Sequence, residues 1–178
     1  YYKKIANYLD YKSGANLVLN HHIETDVIGT KGKAYGVELL IKKLTGKLNG
    51  WISYTWSRVL LKQADPNVGE VINGGSYYPA NYDKPHDLTF IGNYRLNHRF
   101  SLSLNATYST GRPITLPVGR FEYAGSVRTL YSDRNIYRIP DYYRADFSMN
   151  LEGNHKIHQK FHNSWTFGVY NITGRKNP

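Results

Sequence analysis

The histidines are the residues of this sequence with the clearest capacity for chemistry, because imidazole binds metal ions and transfers protons near neutral pH. His155, His158 and His162 follow one another at spacings of three and four residues, which suit metal ligands on a helix. The segment is, however, a polar turn between predicted strands with no adjacent acidic ligand, which favours solvated histidines. His21 and His22 are neighbours in a predicted loop, where a metal or ligand contact is the alternative to a solvated pair. We therefore predict no metal site and no cofactor.

The carboxylates provide a second possible chemistry, since two of them can act as an acid and a base. Four lie on the polar faces of different predicted strands: Glu38, Asp87, Asp146 and Glu152. A polar wall in which they interlock with Arg144 and Lys42 is the favoured interpretation. The sequence has no Cys, which excludes thiolate metal sites and Cys nucleophiles, and it lacks the common hydrolase and phosphate-binding motifs. We predict that the chain is not an enzyme and has no catalytic residue.

Aromatic and arginine side chains are the better candidates for ligand binding. Aromatic rings offer stacking surfaces and arginine offers a planar cationic fork, a combination that suits sugars, aromatic chelates or anionic ligands. Such residues in loops also stabilise the loops themselves, which is the alternative for each one. The ligand-binding candidates, all assigned to long loops, are Trp56, Tyr77, Tyr78, Tyr82, Arg112, Arg120, Tyr123, Arg128, Tyr131 and Arg138.

The elements that must position these residues are strands. From Phe100 to Tyr108 apolar and polar residues alternate without a break, which is the period of a strand with two different surroundings. Similar patterns predict seven strands, at residues 1–8, 32–42, 50–57, 86–94, 100–108, 143–152 and 165–170. A short apolar piece at residues 17–19 is a possible further strand within a loop.

The predicted connections alternate in length. Long ones occupy residues 11–31, 60–85 and 112–141, and short ones occupy residues 46–49, 96–98 and 153–160. Outer-membrane barrels show this asymmetry, because their periplasmic turns are tight and their extracellular loops are free to grow. We therefore predict an all-β fold, namely an antiparallel transmembrane β-barrel segment of about seven strands with short periplasmic turns and long extracellular loops.

The number of predicted strands indicates that the chain is part of a larger barrel. Bacterial barrels close on an even number of strands, so an eighth, descending strand is expected after the seventh. We therefore interpret residues 1–178 as one partial barrel domain that lacks its last strand. The alternatives are a complete small adhesion-type barrel and a soluble aromatic-rich β-sandwich or barrel that binds carbohydrate or an anionic partner.

The amino-acid composition agrees with a membrane-facing sheet, and the distribution of charge argues against nucleic-acid binding. The chain has 17 Tyr, 3 Trp and 6 Phe, residues that favour half-exposed strands and membrane interfaces. Its net charge is +10, but the basic residues are scattered and form no run of five. Such scattering is unlike the concentrated basic stripes of nucleic-acid-binding proteins, so we expect no nucleic-acid partner.

Several segments, in this order and spacing, resemble the late barrel of TonB-dependent outer-membrane receptors. The resemblance spans roughly residues 30–178, and the segments that carry it are residues 32–57, 78–88, 108–117, 139–146 and 169–178. It implies a barrel of about 22 strands, plugged by an N-terminal domain, that takes up a scarce nutrient such as a siderophore or glycan.

The same resemblance implies a location and partners. The chain would be about the last third of the barrel, in the outer membrane of a Gram-negative cell. Its partners would be outer-membrane lipid and lipopolysaccharide, an unidentified nutrient, and the TonB complex through the missing N-terminal plug. The sequence departs from the family pattern in having no plug, no TonB box and no terminal aromatic strand.

Overall fold

The computed structural model describes residues 1–12, 15, 21–65, 67, 69–153 and 163–178. The fold is all-β and antiparallel, as predicted. Two short 3₁₀ helices, Ile23–Asp26 and Ile72–Gly75, are the other regular elements of the described residues. Within the same residues no helix is both long enough and apolar enough to cross a membrane.

The described residues form twelve strands. They are β1 (Tyr2–Tyr11), β2 (Val27–Lys43), β3 (Leu48–Gln63), β4 (Tyr78–Pro79), β5 (His86–Arg95), β6 (Phe100–Ser109), β7 (Pro113–Ile114), β8 (Pro117–Tyr123), β9 (Ser126–Tyr131), β10 (Tyr137–Arg138), β11 (Tyr142–Glu152) and β12 (Ser164–Val169). The main sheet has the order β1-β2-β3-β5-β6-β11-β12, with β4 added to β3. Two further pairs, β7 with β10 and β8 with β9, lie in the connection between β6 and β11. The seven predicted strands are thus confirmed as the main path of the sheet.

Several predicted loop boundaries are wrong. The strand predicted at residues 32–42 begins at Val27, and the strand predicted to end at residue 57 continues to Gln63. The first strand continues to Tyr11. Its register with β2 shifts at a bulge between Ile5 and Tyr8, where Asn7 has a φ of 53°, and the pairing resumes after the bulge. The predicted loop 112–141 contains β7 to β10. The possible strand at residues 17–19 and nearly all of the predicted turn 153–160 lie outside the described residues.

The chain divides into two compact units. Unit 1 comprises Tyr1–Val37, Ser57–Pro85 and Gly111–Ile139, and unit 2 comprises Glu38–Trp56, His86–Thr110 and Pro140–Pro178. Unit 1 holds a small hydrophobic core against which Ile5 and Val59 pack. The buried members of this core are Ile28, Leu61, Ile72, Tyr78 and Ala80. They come from β2, β3, β4 and the connection between β3 and β5.

Unit 2 is a sheet with one apolar and one polar face. Residues that pair across neighbouring strands share a face, and the pairing gives continuous apolar rows. These rows are Ile52–Phe90–Ala106–Ala145, Gly92–Leu104–Phe147–Val169 and Tyr94–Leu102–Met149–Phe167. The alternate rows are mainly polar, for example Asn93–Ser103–Ser148–Gly168.

The apolar face of unit 2 has no dry interior of its own. Among the described residues of the unit no hydrophobic side chain is fully buried, and Ser109 is the one buried residue. Phe147 is 37% exposed, Phe167 57% and Trp165 60%. The apolar rows therefore meet their surroundings directly.

Candidate functional site

The two long connections of unit 1 hold most of the predicted ligand-binding residues. One joins β3 to β5 and the other joins β6 to β11. Their side chains and main chains form a shared polar network, which we call the loop network. It is built on three residues, Asp83, Tyr78 and Asn135, each of which contacts residues far away in sequence.

Asp83 is the most buried charge of the network, with none of its side chain exposed. Its Oδ1 accepts a hydrogen bond from the Val59 N–H at 2.6 Å, and its Oδ2 forms an ion pair with the Arg138 guanidinium. Arg58 Nε lies 3.4 Å from the same Oδ2. Arg138 Nη1 also donates to the carbonyl oxygens of Asp83, at 2.8 Å, and Gly111, at 2.9 Å. Because a buried carboxylate is costly without partners, Arg138 holds the two connections together.

Tyr78 joins the connection after β3 to the first strand. Its hydroxyl donates to Asp10 Oδ2 at 2.7 Å, and Arg134 Nη1 lies 3.0 Å from the same oxygen. The Arg134 guanidinium also lies 5.8 Å from the centre of the Tyr78 ring, within range of a cation–π interaction. Burial, and next the hydrogen bond to Asp10, raise the pKa of the Tyr78 hydroxyl far above its ordinary value. Tyr78 is therefore a neutral donor over the whole physiological pH range.

Asn135 and Asn73 complete the network from left-handed backbone positions, with φ values of 59° and 48°. Asparagine adopts this conformation more readily than most residues, and its amide both donates and accepts. The Asn135 amide donates to Pro79 O and Asn81 Oδ1, both at 2.7 Å. The Asn73 amide donates to Arg134 O at 2.9 Å and accepts from Arg134 N at 2.7 Å.

Two predicted ligand residues belong to this network. Tyr78 is 1% exposed, and Arg138 has its guanidinium committed to Asp83 and Gly111. Both thus have clear roles in the structure of the loops. The sequence reasoning missed Asp83 and Asn135, although Asp83 lies inside the segment 78–88 used for the family resemblance. The Asn-Gly-Gly sequence at 73–75 was a signal for the left-handed turn that positions Asn73.

Four predicted ligand residues come together on one hairpin, formed by β8 and β9. Arg128 of β9 pairs with Phe121 of β8. Tyr123 lies two residues after Phe121 on β8 and therefore on the same face. Arg120 and Tyr131 share the other face by the alternation of the two strands. All of these residues are exposed, Tyr123 at 67%. The hairpin therefore presents an arginine and an aromatic ring on each face.

The remaining candidates lie apart from the hairpin in sequence. Tyr77 and Tyr82 are exposed at 47% and 52% on either side of β4, and Arg112 is exposed just before β7. Partial burial, followed by interactions with Tyr8, raises the pKa of the Tyr82 hydroxyl. The placement of Trp56 in a loop is wrong. It lies in β3 opposite His86, within the strand that the alternation of residues 50–57 already predicts.

Of the histidines and carboxylates considered for chemistry, His22 and Asp146 have ordinary partners, and so does His86 at the start of β5. His86 Nδ1 lies 2.8 Å from the Tyr54 hydroxyl, and His22 Nδ1 lies 3.3 Å from Glu24 at the surface. Arg144 donates to Asp146 at 2.7 Å. In the part of the chain that the structure describes, no three His, Cys, Asp or Glu residues are grouped to hold a metal ion. His155, His158 and His162 lie outside that part.

Comparison with known proteins gives no match to any protein family, curated protein or solved structure.

Proposed function

We propose that the chain is a section of a TonB-dependent outer-membrane receptor, the type of barrel that takes up a scarce nutrient across the outer membrane of Gram-negative cells. The observation that carries the proposal is the apolar face of unit 2, which extends in register over β3, β5, β6, β11 and β12. An aqueous sheet of this width buries its apolar face against a second layer. Side chains of this face such as Phe147, Trp165 and Phe167 are instead exposed to their surroundings, and hydrocarbon is the solvent that suits them.

The connections of the sheet support the same assignment. Residues 64–85 join β3 to β5, and residues 110–141 join β6 to β11, whereas only residues 44–47 and 96–99 separate β2 from β3 and β5 from β6. Because neighbouring strands are antiparallel, successive connections leave opposite ends of the strands. One end thus has the long connections and the other has the tight turns, which is the arrangement of outer-membrane barrels.

The loop network suits a receptor, because a binding loop that is already ordered loses less entropy on binding. Asp83, Tyr78 and Asn135 hold the two long connections in a fixed arrangement. The β8–β9 hairpin that extends from the second connection offers arginine and aromatic groups to a siderophore, a glycan or a similar ligand. In this proposal an N-terminal plug carries the contact with TonB, and lipopolysaccharide surrounds the barrel.

The absence of Cys allows a direct test with single spin labels. Leu104→Cys places a label in the middle of an apolar row, and Asn105→Cys places one on the opposite face of β6. With the full chain in phosphatidylcholine vesicles, the label at position 104 should collide preferentially with oxygen, which is concentrated in lipid. The label at position 105 should collide preferentially with a water-soluble nickel chelate. Equal aqueous access at both positions would contradict the membrane assignment and favour the soluble binding module.

A substitution of the same residues adds an energetic test. Arginine on a lipid-facing strand near the bilayer midplane costs about 2–4 kcal/mol, whereas arginine on the polar face is tolerated. Leu104→Arg should therefore reduce the fraction of chain that floats with vesicles, and Asn105→Arg should leave it nearly unchanged. If the two variants float equally well, β6 does not separate lipid from water.

A further inference from the structure

A cleft opens on the polar face of unit 2, at the tight turn between β5 and β6. Its volume is about 640 Å³, which is within the range of small-molecule sites. The described residues that line it come from β3, β5, β6, β11 and the β5–β6 turn, all of which belong to unit 2. Apart from Phe100 they are polar or charged. None of the ligand-binding candidates predicted from the sequence is among them.

Two arginines of the cleft lie on either side of one serine. Arg95 of β5 pairs directly with Ser101 of β6, so their side chains share the polar face. Arg99 lies two residues before Ser101, and its carbonyl accepts from the Glu152 N–H at 2.7 Å, which continues the pairing of β6 with β11. By the alternation of a strand, Arg99 therefore shares the face of Ser101. Both guanidinium groups thus line the same cleft.

The β5–β6 turn orders the arginine at its end. The Leu96 N–H donates to the Phe100 carbonyl at 2.9 Å and closes the turn, and the Arg99 N–H donates to Asn97 Oδ1 at 2.9 Å. Arg99 Nε donates to the Glu152 carbonyl at 3.2 Å. The two terminal nitrogens of this guanidinium are then directed to another acceptor. An arginine that is already positioned loses less entropy when it binds a ligand.

The charges of the cleft favour an anion. Its lining contains Arg95 and Arg99 and, among the described residues, a single carboxylate, that of Glu152. In the part of the chain that the structure describes, neither arginine forms an ion pair with a carboxylate. Guanidinium groups bind carboxylates and phosphates through paired N–H donors. The turn end of the cleft is therefore suited to the anionic group of a ligand.

A row of half-buried polar side chains lies next to the arginines on the same face. Asn49, Asn93 and Ser103 pair across β3, β5 and β6. Ser103 Oγ donates to Asn93 Oδ1 at 2.7 Å, and Asn93 Nδ2 donates to Asn49 Oδ1 at 3.3 Å. Because the Ser103 hydroxyl has only one hydrogen, it can only accept a further hydrogen bond. The amide nitrogen of Asn49 can only donate.

These two groups indicate what the rest of the ligand carries. Ser103 requires a hydrogen-bond donor on the ligand, and a charged amine would add a positive charge beside Arg95. A hydroxyl group is a neutral donor, and it also accepts, so a second hydroxyl suits the Asn49 amide nitrogen. A bare anion such as inorganic phosphate contacts the arginines without using this row.

We propose that the cleft binds a small anion that carries hydroxyl groups. Its phosphate or carboxylate lies at Arg95 and Arg99, and its hydroxyls lie at Ser103 and Asn49. Sugar phosphates and sugar acids share this chemistry. The inference goes beyond the proposed function, because the cleft lies on the polar face and its contacts are the same whatever covers the apolar rows.

The first test compares two double variants with the same change of net charge. Arg95→Gln/Arg99→Gln removes the cationic end of the cleft, and Lys42→Gln/Lys43→Gln removes two exposed lysines of β2 as the control. The full chain, in micelles of a polyoxyethylene detergent that has no sugar headgroup, is titrated with glucose-6-phosphate. NMR signals of the Asn49 and Asn93 side-chain amides report binding.

The size of the expected loss follows from the exposure of the arginines. An exposed ion pair contributes at most about fivefold in affinity, so the double variant should bind about 25-fold more weakly. The lysine control should bind nearly as the native chain does. Arg95→Gln alone should lose about fivefold. Because the single variant keeps the Arg99 contact with Glu152, its loss does not come from an altered turn.

The second test concerns the hydroxyl groups of the ligand. Ser103→Ala removes one hydrogen-bond acceptor from the cleft and leaves its charge intact. It should lower the affinity for glucose-6-phosphate about fivefold, the contribution of one hydrogen bond, and leave the affinity for inorganic phosphate unchanged. Thr107→Ala, which removes a hydroxyl from the same face of β6 outside the cleft, is the control. Glucuronate in place of glucose-6-phosphate shows whether a carboxylate serves as well as a phosphate, and uncharged glucose should bind much more weakly than either.

Several outcomes would overturn the inference. Equal losses in both double variants would mean a general effect of net charge, and unchanged affinity in Arg95→Gln/Arg99→Gln would mean that the ligand binds elsewhere. Inorganic phosphate that binds the native chain as tightly as glucose-6-phosphate would show that the cleft does not recognise hydroxyls. None of these results bears on the membrane assignment, which the spin labels on the two faces of β6 test separately.

Discussion

Removal of the Arg138 side chain isolates the most buried charge of the loop network. In Arg138→Ala the Asp83 carboxylate keeps the Val59 N–H at 2.6 Å and the Arg58 Nε at 3.4 Å. It loses the guanidinium that contacts both its side chain and its main-chain carbonyl. The carboxylate cannot turn to water, because its side chain is fully buried. We therefore expect the two long connections of unit 1 to open more often.

The size of the effect follows from the burial of each partner. Breaking a buried ion pair by removing one member costs about 3–5 kcal/mol. Arg58 remains beside the charge, so the lower end of this range, about 3 kcal/mol, is appropriate here. Asp83→Asn should cost less, about 1–1.5 kcal/mol. It removes the charge itself, keeps an acceptor for Val59, and leaves two arginines that are 26% and 31% exposed and can hydrate.

Hydrogen exchange of the backbone amides measures this opening locally. Peptides that cover residues 57–63 and 77–85 report on the Val59 amide and on the segment around Asp83. A loss of 3 kcal/mol in the free energy of opening corresponds to exchange about 150-fold faster, because each 1.4 kcal/mol is a factor of ten. The segment at the β5–β6 turn, which belongs to unit 2, should exchange as in the native chain.

Arg112→Ala is the matched control, because Arg112 lies in the same connection with an exposed side chain. Its main-chain carbonyl accepts from Ile139 N at 3.0 Å, and the substitution keeps that bond. Exchange in this variant should stay within about threefold of native, the range of ordinary surface changes. If Arg138→Ala accelerates exchange by less than tenfold, or by no more than Asp83→Asn, the buried ion pair does not hold the connections.

Two further substitutions test other parts of the structure. The raised pKa of Tyr78 means that its contribution to stability is complete below about pH 10, the pKa of unfolded tyrosine, and declines as the pH rises through the folded value. In denaturant titrations the native chain should therefore lose stability more steeply above pH 10 than the Tyr78→Phe variant does. Parallel slopes would show that folding does not raise the pKa of Tyr78. Gly50→Ala should disrupt the pairing of β3 with β5, because φ at Gly50 is 147° and a Cβ there would collide with the Ile91 carbonyl. Gly29→Ala, which meets nothing within 4 Å, is its control, and equal protease resistance of the two variants would contradict the collision.

The alternating strands could be predicted because their two faces have separate compositions. Phe100 to Tyr108 was predicted as a strand and is one, since every apolar residue in it pairs with an apolar neighbour on β5 or β11. The beginning of β2 was missed because Val27 and Ile28 are consecutive apolar residues followed by Gly29, a sequence that shows no alternation. Its pairing with β1 depends on the bulge at Asn7, and a single irregular residue leaves no periodic signal.

The loop network could not be predicted from sequence patterns. Tyr78 and Asp10 are 68 residues apart, and Arg138 and Asp83 are 55 residues apart. Spacing rules connect residues only within one element, so they cannot pair side chains from separate loops. The aromatic and arginine residues were predicted from side-chain chemistry alone. Their types did not indicate that Tyr78 and Arg138 are engaged inside unit 1 and that the pairs on the β8–β9 hairpin are exposed.

The open faces of unit 2 have a thermodynamic consequence. The heat capacity of a protein rises on unfolding, by about 12–15 cal/mol/K per residue, because hydrocarbon that was dry becomes hydrated. The described residues of unit 2 hide no hydrophobic side chain completely, and several, such as Leu102 and Leu104, are half-buried, so unfolding exposes less new hydrocarbon than it does in a domain with a dry core. Unit 2 should thus gain less heat capacity than a domain with a dry core, its stability should vary less steeply with temperature, and cooling should weaken it less than it weakens an ordinary hydrophobic core.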